Sequence, residues 1–537
     1  MKQHAFFLSF IVIACFLITQ PFFKEGYFPT DDGEWAIVRL AEMKSEIKDL
    51  QIPPRWSGFL NHGYGYPLFN FVYPFPYYLG LIPNLLGFNL TESIKILFVL
   101  SIFLSGTGMY LLGKYLKDEW TGIIASIFYL VIPYRIANLY ERGSLGEVLS
   151  GGIFPFLVLF SILFIRKGSN IFYLLSSLFL FFILLSHNVS ALFFIPVLII
   201  ISALELFGGK KEKYVIIRRT FFILVSGFTL SSYFIIPAIL EKKNILLSVI
   251  PLTHISEYFL SFSSIVGVTV SKERPLFQIG IFHALSFCLV LLVGKVNKKL
   301  YSISILSILL FFYILMMTPI LRPLWNLPFL SSIDFPWRLL GPISFLISFI
   351  LIFLAESKQI KIVLTVLAVF SLLWVLPYVK INTLFVKNDT YYTSNDATTT
   401  STDELMPVWV LEKPTERYQN KIEFLKGLGN IHLRDQKSNY LKATIDTSMN
   451  SQVQVNTIYY PGWEYKINGV IIKPILTNKN GTVIFNLSRG YNMLEGTFKE
   501  TPLRLVSDLI SIFSAIGILL TVIWLSRKNV VRKYSKQ

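Results

Sequence analysis

Two cysteines in 537 residues, Cys15 and Cys288, both inside apolar runs, leave no disulfide framework and no Cys-ligated zinc site. Charge is also scarce, at 15% of residues against 53% hydrophobic and 16% aromatic. Internal repeats are missing, and the one low-complexity patch, Thr398 to Thr402, reads as a linker. With a mean hydropathy of +0.58 the chain exceeds what a soluble core requires, so it is expected to be a polytopic membrane protein. The formal net charge of +17 suggests nucleic acid at first sight. The basic residues fall mostly in short clusters between apolar runs, where they set topology and meet anionic membrane lipid, and nucleic-acid binding is discarded.

Twelve segments read as transmembrane helices: 5–23, 94–116, 120–134, 151–165, 171–185, 189–206, 220–240, 277–293, 300–318, 339–354, 360–378 and 505–525. The first has no clear small-residue cleavage site after it and is expected to be an uncleaved anchor. Segment 69–86 decides the topology. If it does not span, and the N-terminus lies inside, the clusters Lys114/Lys117, Arg166/Lys167, Lys210 to Arg219, Lys295 to Lys299, Lys358/Lys361 and the tail from Arg527 all face the cytoplasm. If it does span, they all face outward. Its prolines break a long helix, so it is assigned as juxtamembrane or re-entrant, with both termini on the cytoplasmic side of the plasma membrane.

Between 379 and 503 the composition turns polar, with alternation in Gln452-Val453-Gln454-Val455 and turn signals at Tyr460-Pro461-Gly462, Asn468-Gly469 and Asn480-Gly481. The expected organisation is an α-helical membrane domain over 1–378 with an outer acidic loop over 24–93. A small extracytoplasmic β-sandwich-like domain follows over 379–503, then a last helix and basic tail over 504–537.

This topology places four unusual stretches on one outer face: Thr30-Asp31-Asp32-Gly33-Glu34, Tyr140 to Glu147, Ser186-His187-Asn188, and Asp334-Phe335-Pro336-Trp337-Arg338. Three carboxylates within four positions repel one another, so a cation, a positive side chain or a catalytic duty has to offset the cost. Asp31 and Asp32, ahead of Glu34, suit a general base or oxygen ligands to a divalent Mg or Mn ion; the plain alternative is a solvated loop paired with Lys24, Arg39 or Arg55. Arg142 suits a phosphate through its forked donors, with Glu147 either completing a metal shell or orienting that arginine; the structural alternative is that Glu141 and Arg142 only anchor the interface while Gly143 and Gly146 allow a turn. His187 is a site candidate or a hydrogen-bonded interfacial histidine, and Arg338 a phosphate contact or a snorkelling anchor. His62, Arg55 and Tyr64 are supporting candidates in a segment whose aromatics suit sugar stacking, a lipid groove or an interfacial belt.

Thr30-Asp31-Asp32, Pro54-Arg55-Trp56, Asn61-His62-Gly63-Tyr64-Gly65-Tyr66-Pro67, Arg142-Gly143, Ser186-His187-Asn188 and Phe335-Pro336-Trp337-Arg338 together resemble the membrane family labelled 6-pyruvoyl-tetrahydropterin synthase-related. The label does not imply pterin chemistry, since nothing in the chain supplies the three-histidine zinc site of the soluble synthases. More broadly the layout is similar to the GT-C glycosyltransferases, whose first outer loop carries an acidic motif. Many of those have Glu or His within the pair where this chain has Asp31-Asp32. The resemblance implies inverting transfer of a sugar from a polyprenyl-phosphate donor to a cell-envelope glycan, glycolipid or protein. Asp31 or Asp32 would act on the acceptor, and Arg142 and Arg338 on the donor phosphate. The competing expectations are a flippase for lipid-linked glycans, an envelope polysaccharide polymerase or ligase, and a non-catalytic scaffold. Transporters often carry ionisable groups deep in their spans, and here the spans are nearly empty of charge away from their ends.

Overall fold

The structure is a computed structural model describing residues 2–207, 211–249, 255–293, 298–331, 333, 335–476 and 478–534. Asp334, Lys210 and Lys295 of the sequence expectations lie outside the described residues.

Seven helices among the described residues are long and apolar enough to cross a bilayer: Phe6–Phe23, Leu90–Leu116, Leu145–Lys167, Asn188–Phe207, Pro336–Leu354, Lys358–Val379 and Pro502–Trp524. Three more spans are broken. Glu119–Val131 and Pro133–Tyr140 bend by 47°, Lys213–Leu230 and Ser232–Leu240 by 73°, and Tyr301–Met316 and Pro319–Asn326 by 86°. Among the described residues, seven of the expected spans are thus unbroken helices, and ten are accounted for when each bent pair counts once. Asn170–Ser186, at 17 residues, falls just short of the same length. Two of the bends have a local cause. Ile132 and Thr318 precede prolines, whose rings force the residue before them out of the helical region, and both are extended. Segment 69–86 is not one helix: its prolines divide it into Leu68–Phe71 and Phe75–Leu85.

Close helix packing relies on small residues, as expected where lipid tails are as apolar as the side chains. A Cβ on Gly152 would stand 2.6 Å from the carbonyl oxygen of Ser101, so only glycine lets Leu145–Lys167 approach Leu90–Leu116 this closely.

Eight antiparallel strands follow: β1 (Ile422–Lys426), β2 (Gly429–Lys437), β3 (Tyr440–Thr447), β4 (Ser451–Ile458), β5 (Trp463–Ile467), β6 (Val470–Ile472), β7 (Thr482–Leu487) and β8 (Gly490–Phe498). They form a three-stranded sheet, β1-β4-β7, and a five-stranded sheet, β2-β3-β8-β5-β6. Val453 and Val455 of β4 are fully buried, and the ring of Tyr465 on one sheet meets that of Phe485 on the other at 5.1 Å. Asn468 and Gly469 both take positive φ, 51° and 82°, which is the turn that a two-residue hairpin between β5 and β6 requires.

Residues 380–421 contain no strand of either sheet and run as a strap over the end of the helical bundle. Phe385 bridges Tyr27, Leu246 N–H donates to Met406 O at 2.9 Å, and Leu247 N–H donates to Glu404 O at 2.8 Å. The Thr398–Thr402 patch is part of this strap and is not a free linker: Thr399 is 1% exposed. Two buried ion-pair groups fasten the β domain and last helix to the bundle. Arg504 pairs with Glu241 at 2.8 Å, and Arg55 with Asp508 at 2.8 Å and Glu500 at 3.2 Å.

Candidate functional site

A cavity of about 750 Å³ opens between the bundle, the strap and the segment 257–278. Asp31 and Asp32 reach it because their loop is stitched to the turn after Pro133–Tyr140: Asp31 N–H donates to Glu141 O at 3.0 Å and Asp32 N–H to Arg142 O at 2.7 Å. The turn residue Gly143 takes φ +62°, and a Cβ there would stand 2.3 Å from Thr30 Oγ1, so the crossing of the two loops demands glycine. The same turn delivers Arg142 into the cavity. His187 arrives from the break between Asn170–Ser186 and Asn188–Leu204, and Arg338 from the Pro336–Leu339 turn that starts a span.

Glu147, in the first turn of Leu145–Lys167, ties this inner wall together. Its carboxylate pairs with Arg142 at 2.6 Å, lies 3.4 Å from Arg338 Nε and 3.8 Å from His187 Nε2, and accepts from Tyr134 Oη at 2.9 Å and Asn138 Nδ2 at 3.4 Å. Arg142 also donates to Asn138 Oδ1 at 2.8 Å and lies 4.6 Å over the Trp337 ring. Burial pushes the His187 imidazole down to about 3, with Glu147 opposing the shift and Arg338, Arg142 and Arg39 adding to it. Its Nδ1 accepts the Ser190 N–H at 3.1 Å, so the neutral ring carries its proton on Nε2, toward Glu147.

The three carboxylates of the acidic loop diverge. Asp31 is gripped by Arg274 at 2.8 and 3.1 Å, Asp32 lies 3.7 Å from Arg142, and Glu34 points to Lys387 at 3.0 Å. Asp31 and Asp32, read from sequence as ligands for Mg or Mn, therefore do not form a preassembled cation shell. Among the described residues no three His, Cys, Asp or Glu side chains gather where one ion could hold them. Burial also raises the nearby Glu141 carboxyl to about 7, with Arg274 opposing that shift.

Asp31, Asp32, Arg142, His187 and Arg338 thus line one cavity, with Glu147 directly behind it. Glu34 does not line it, and neither do Arg55, His62 and Tyr64. Arg55 is in the ion-pair group under the β domain, His62 N–H donates to Asp396 O in the strap, and the Tyr64 ring meets Tyr418 at 5.3 Å. Sequence reasoning missed Arg274, and it saw Arg39 only as a charge partner for the acids. Arg39 lines the cavity, with Nη1 3.3 Å from Tyr77 Oη and its other donors on Thr399 of the strap. Its position two turns after Asp32, the residue that caps the helix Gly33–Lys48, was the available signal. The chemical capacity of the site is clear: four arginines and a neutral imidazole suit a phosphate, and two adjacent carboxylates suit a hydroxyl proton.

Residues 69–383, more than half of the chain, match the 6-pyruvoyl-tetrahydropterin synthase related domain, described as a membrane protein. An uncharacterized protein of Lactococcus lactis subsp. cremoris is 24% identical over 312 residues, which cover 54% of this chain and 49% of that protein. The chain therefore spans about half the length of that relative. Among solved structures, the mycobacterial arabinofuranosyltransferase AftD is similar over 71% of this chain and 27% of its own length, at 18% identity and TM-score 0.48. The Archaeoglobus fulgidus oligosaccharyltransferase is similar over 72% of this chain and 53% of its own, at 12% identity and TM-score 0.35.

Proposed function

The chain belongs to the 6-pyruvoyl-tetrahydropterin synthase-related family of membrane proteins, and on that premise we propose that it is a membrane glycosyltransferase moving a sugar from a polyprenyl-phosphate donor to an envelope acceptor outside the cell. The observation that carries this reading is the convergence of Asp31, Asp32, Arg142, His187 and Arg338, from four separate stretches of sequence, on one cavity. A polyprenyl-phosphate sugar needs cations for its phosphate, a proton acceptor for the incoming hydroxyl and an apolar path for its tail. Arg142 and Arg338 supply the first. Asp32 supplies the second, since it has no forked partner and touches its nearest cation only at 3.7 Å. Phe71, Val72 and Val189 give the cavity wall apolar surface for the third.

In this mechanism the acceptor hydroxyl loses its proton to Asp32 and its oxygen attacks the anomeric carbon from the face opposite the phosphate. The anomeric C–O bond breaks and its electron pair stays on the phosphate, so configuration inverts. Fixed guanidinium groups stabilise that developing charge without having to reorganise. Glu147 keeps Arg142, Arg338 and His187 in position from behind. No step is routed through a metal, because the carboxylates face separate cationic side chains.

The test is glycan analysis of the envelope in a deletion strain complemented with wild type, Asp31→Asn, Asp32→Asn or Arg142→Ala, with membrane levels matched by blotting. One sugar missing from the deletion strain and unrestored by Asp32→Asn and Arg142→Ala supports transfer at this cavity. Full restoration by those variants removes the catalytic reading in favour of a scaffold.

A further inference from the structure

Of the four arginines lining the cavity, Arg274 is the most exposed and the only one whose grip is on the acidic loop in a forked pair. Its Nη1 donates to Asp31 Oδ2 at 2.8 Å and its Nη2 to Asp31 Oδ1 at 3.1 Å, with the two side chains 45% and 44% exposed. Arg142, by contrast, is held from behind by the buried Glu147 and reaches Asp32 only at 3.7 Å. Consecutive carboxylates therefore engage different arginines. The Arg274 pair is exposed and exchangeable, whereas the Arg142–Glu147 pair is buried and fixed.

Resting on the transferase reading above, we propose that Arg274 is a further ligand of the donor phosphate, surrendered by Asp31 as the leaving group departs. The charge balance gives the exchange its direction. The donor phosphate is a diester with one negative charge. When the bond between the acceptor oxygen and the anomeric carbon forms, the bond from that carbon to the phosphate oxygen breaks. The electron pair remains on the phosphate, which becomes a monoester approaching two negative charges. A guanidinium gains more from that dianion than from a singly charged carboxylate, so the new contact is stronger late in the reaction than at its start. Only such contacts accelerate the chemical step. The same exchange leaves Asp31 unpaired beside Asp32. Two neighbouring carboxylates raise each other's affinity for a proton, so the acceptor's proton finds a stronger base as the phosphate leaves.

The test uses purified full-length protein and farnesyl phosphate, a soluble monoester that imitates the departing group, with binding measured for wild type, Asp31→Asn, Arg274→Gln and the double variant. Arg274→Gln is expected to weaken binding roughly tenfold, the scale of one charge-assisted contact, and Arg274→Lys, which keeps the charge without the fork, to recover part of it. Asp31→Asn, by removing the competitor, is expected to tighten binding several-fold in the wild-type background and not at all when Arg274 is already Gln. If Asp31→Asn tightens binding equally in both backgrounds, simple charge repulsion explains it and the exchange is overturned. An Asp31→Asn variant with unchanged or weaker binding overturns it too. If the wild type does not bind farnesyl phosphate, the donor reading fails and this proposal with it, so the two failures are distinguishable. Thermal unfolding of each variant confirms that a weakened binder is still folded.

Discussion

Glu147 is the residue on which the inner wall of the cavity depends. With its charge removed, Arg142 and Arg338 lose their shared buried counter-ion beside His187, and Arg142 keeps only the longer 3.7 Å contact to Asp32. Breaking one side of a buried ion pair costs about 3 to 5 kcal/mol, so Glu147→Gln is expected to lower the thermal unfolding midpoint of the purified protein. The arginines would also lose their aim, and sugar transfer should fall by about two orders of magnitude, the scale of losing an electrostatic stabiliser. Because guanidinium groups supply the positive charge, transfer by purified protein is expected to persist in EDTA; loss of activity restored by Mg or Mn would place a metal back in the mechanism. At this scale the sequence was informative where polar residues interrupt apolar runs. Asp31, Asp32, Arg142, His187 and Arg338 stand out at the ends of spans, and all five line the cavity. Arg274 did not stand out, because Lys272-Glu273-Arg274 looks like any solvated loop. Arg55, His62 and Tyr64 looked like site residues because the outer aromatic segment also provides the contacts that dock the strap and the β domain.

Gly33–Lys48 links the site to the rest of the outer surface. Its start carries Asp32, its second turn points Arg39 at the cavity, and its far half buries Glu42 and Glu46. Burial, with Asp49 adding to it, pushes the Glu42 carboxyl up to about 8, and burial holds Glu46 well above the usual carboxylate range. A carboxyl raised on folding stabilises the protein fully below its unfolded value, near 4.5, and that contribution is lost as pH rises through the folded value. The unfolding midpoint is therefore expected to decline between about pH 5 and pH 8. Glu42→Gln should flatten that decline, and an unaltered slope would locate the dependence elsewhere. The helices were legible as apolar runs, but two of the breaks were not, since composition over 120–134 or 300–318 is uniform while a proline near the run's edge decides the geometry. The strap was misread for a different reason. A threonine-rich stretch has the composition of a linker, and only the burial of Thr399 against Arg39 makes it a wall of the site.

At the scale of the whole molecule, the β domain, the strap and the last helix act on the bundle as one cover. Arg504, at 0% exposure, pairs with Glu241, which also accepts from Asn70 at 2.8 Å. Arg504→Leu alone leaves Glu241 buried and uncompensated, whereas Arg504→Leu with Glu241→Leu leaves neither charge. The double variant is therefore expected to be more stable than either single one, and limited proteolysis of the 380–421 strap should follow the same order. The sequence indicated a separate β domain by its change of composition and by period-two patterns such as that of β4. The way the domain is fastened was hidden, because its ion pairs join residues more than 200 positions apart.

The central claim is that this cavity transfers a sugar from a lipid-phosphate donor. Mass spectrometry of membrane lipids from a strain whose only copy is a well-expressed Asp32→Asn variant tests it most directly. The account predicts that one polyprenyl-phosphate sugar accumulates on the outer leaflet while the matching sugar is lost from the envelope. A complete envelope glycan with no accumulated donor would contradict it, and donor trapped on the inner leaflet would identify a flippase instead.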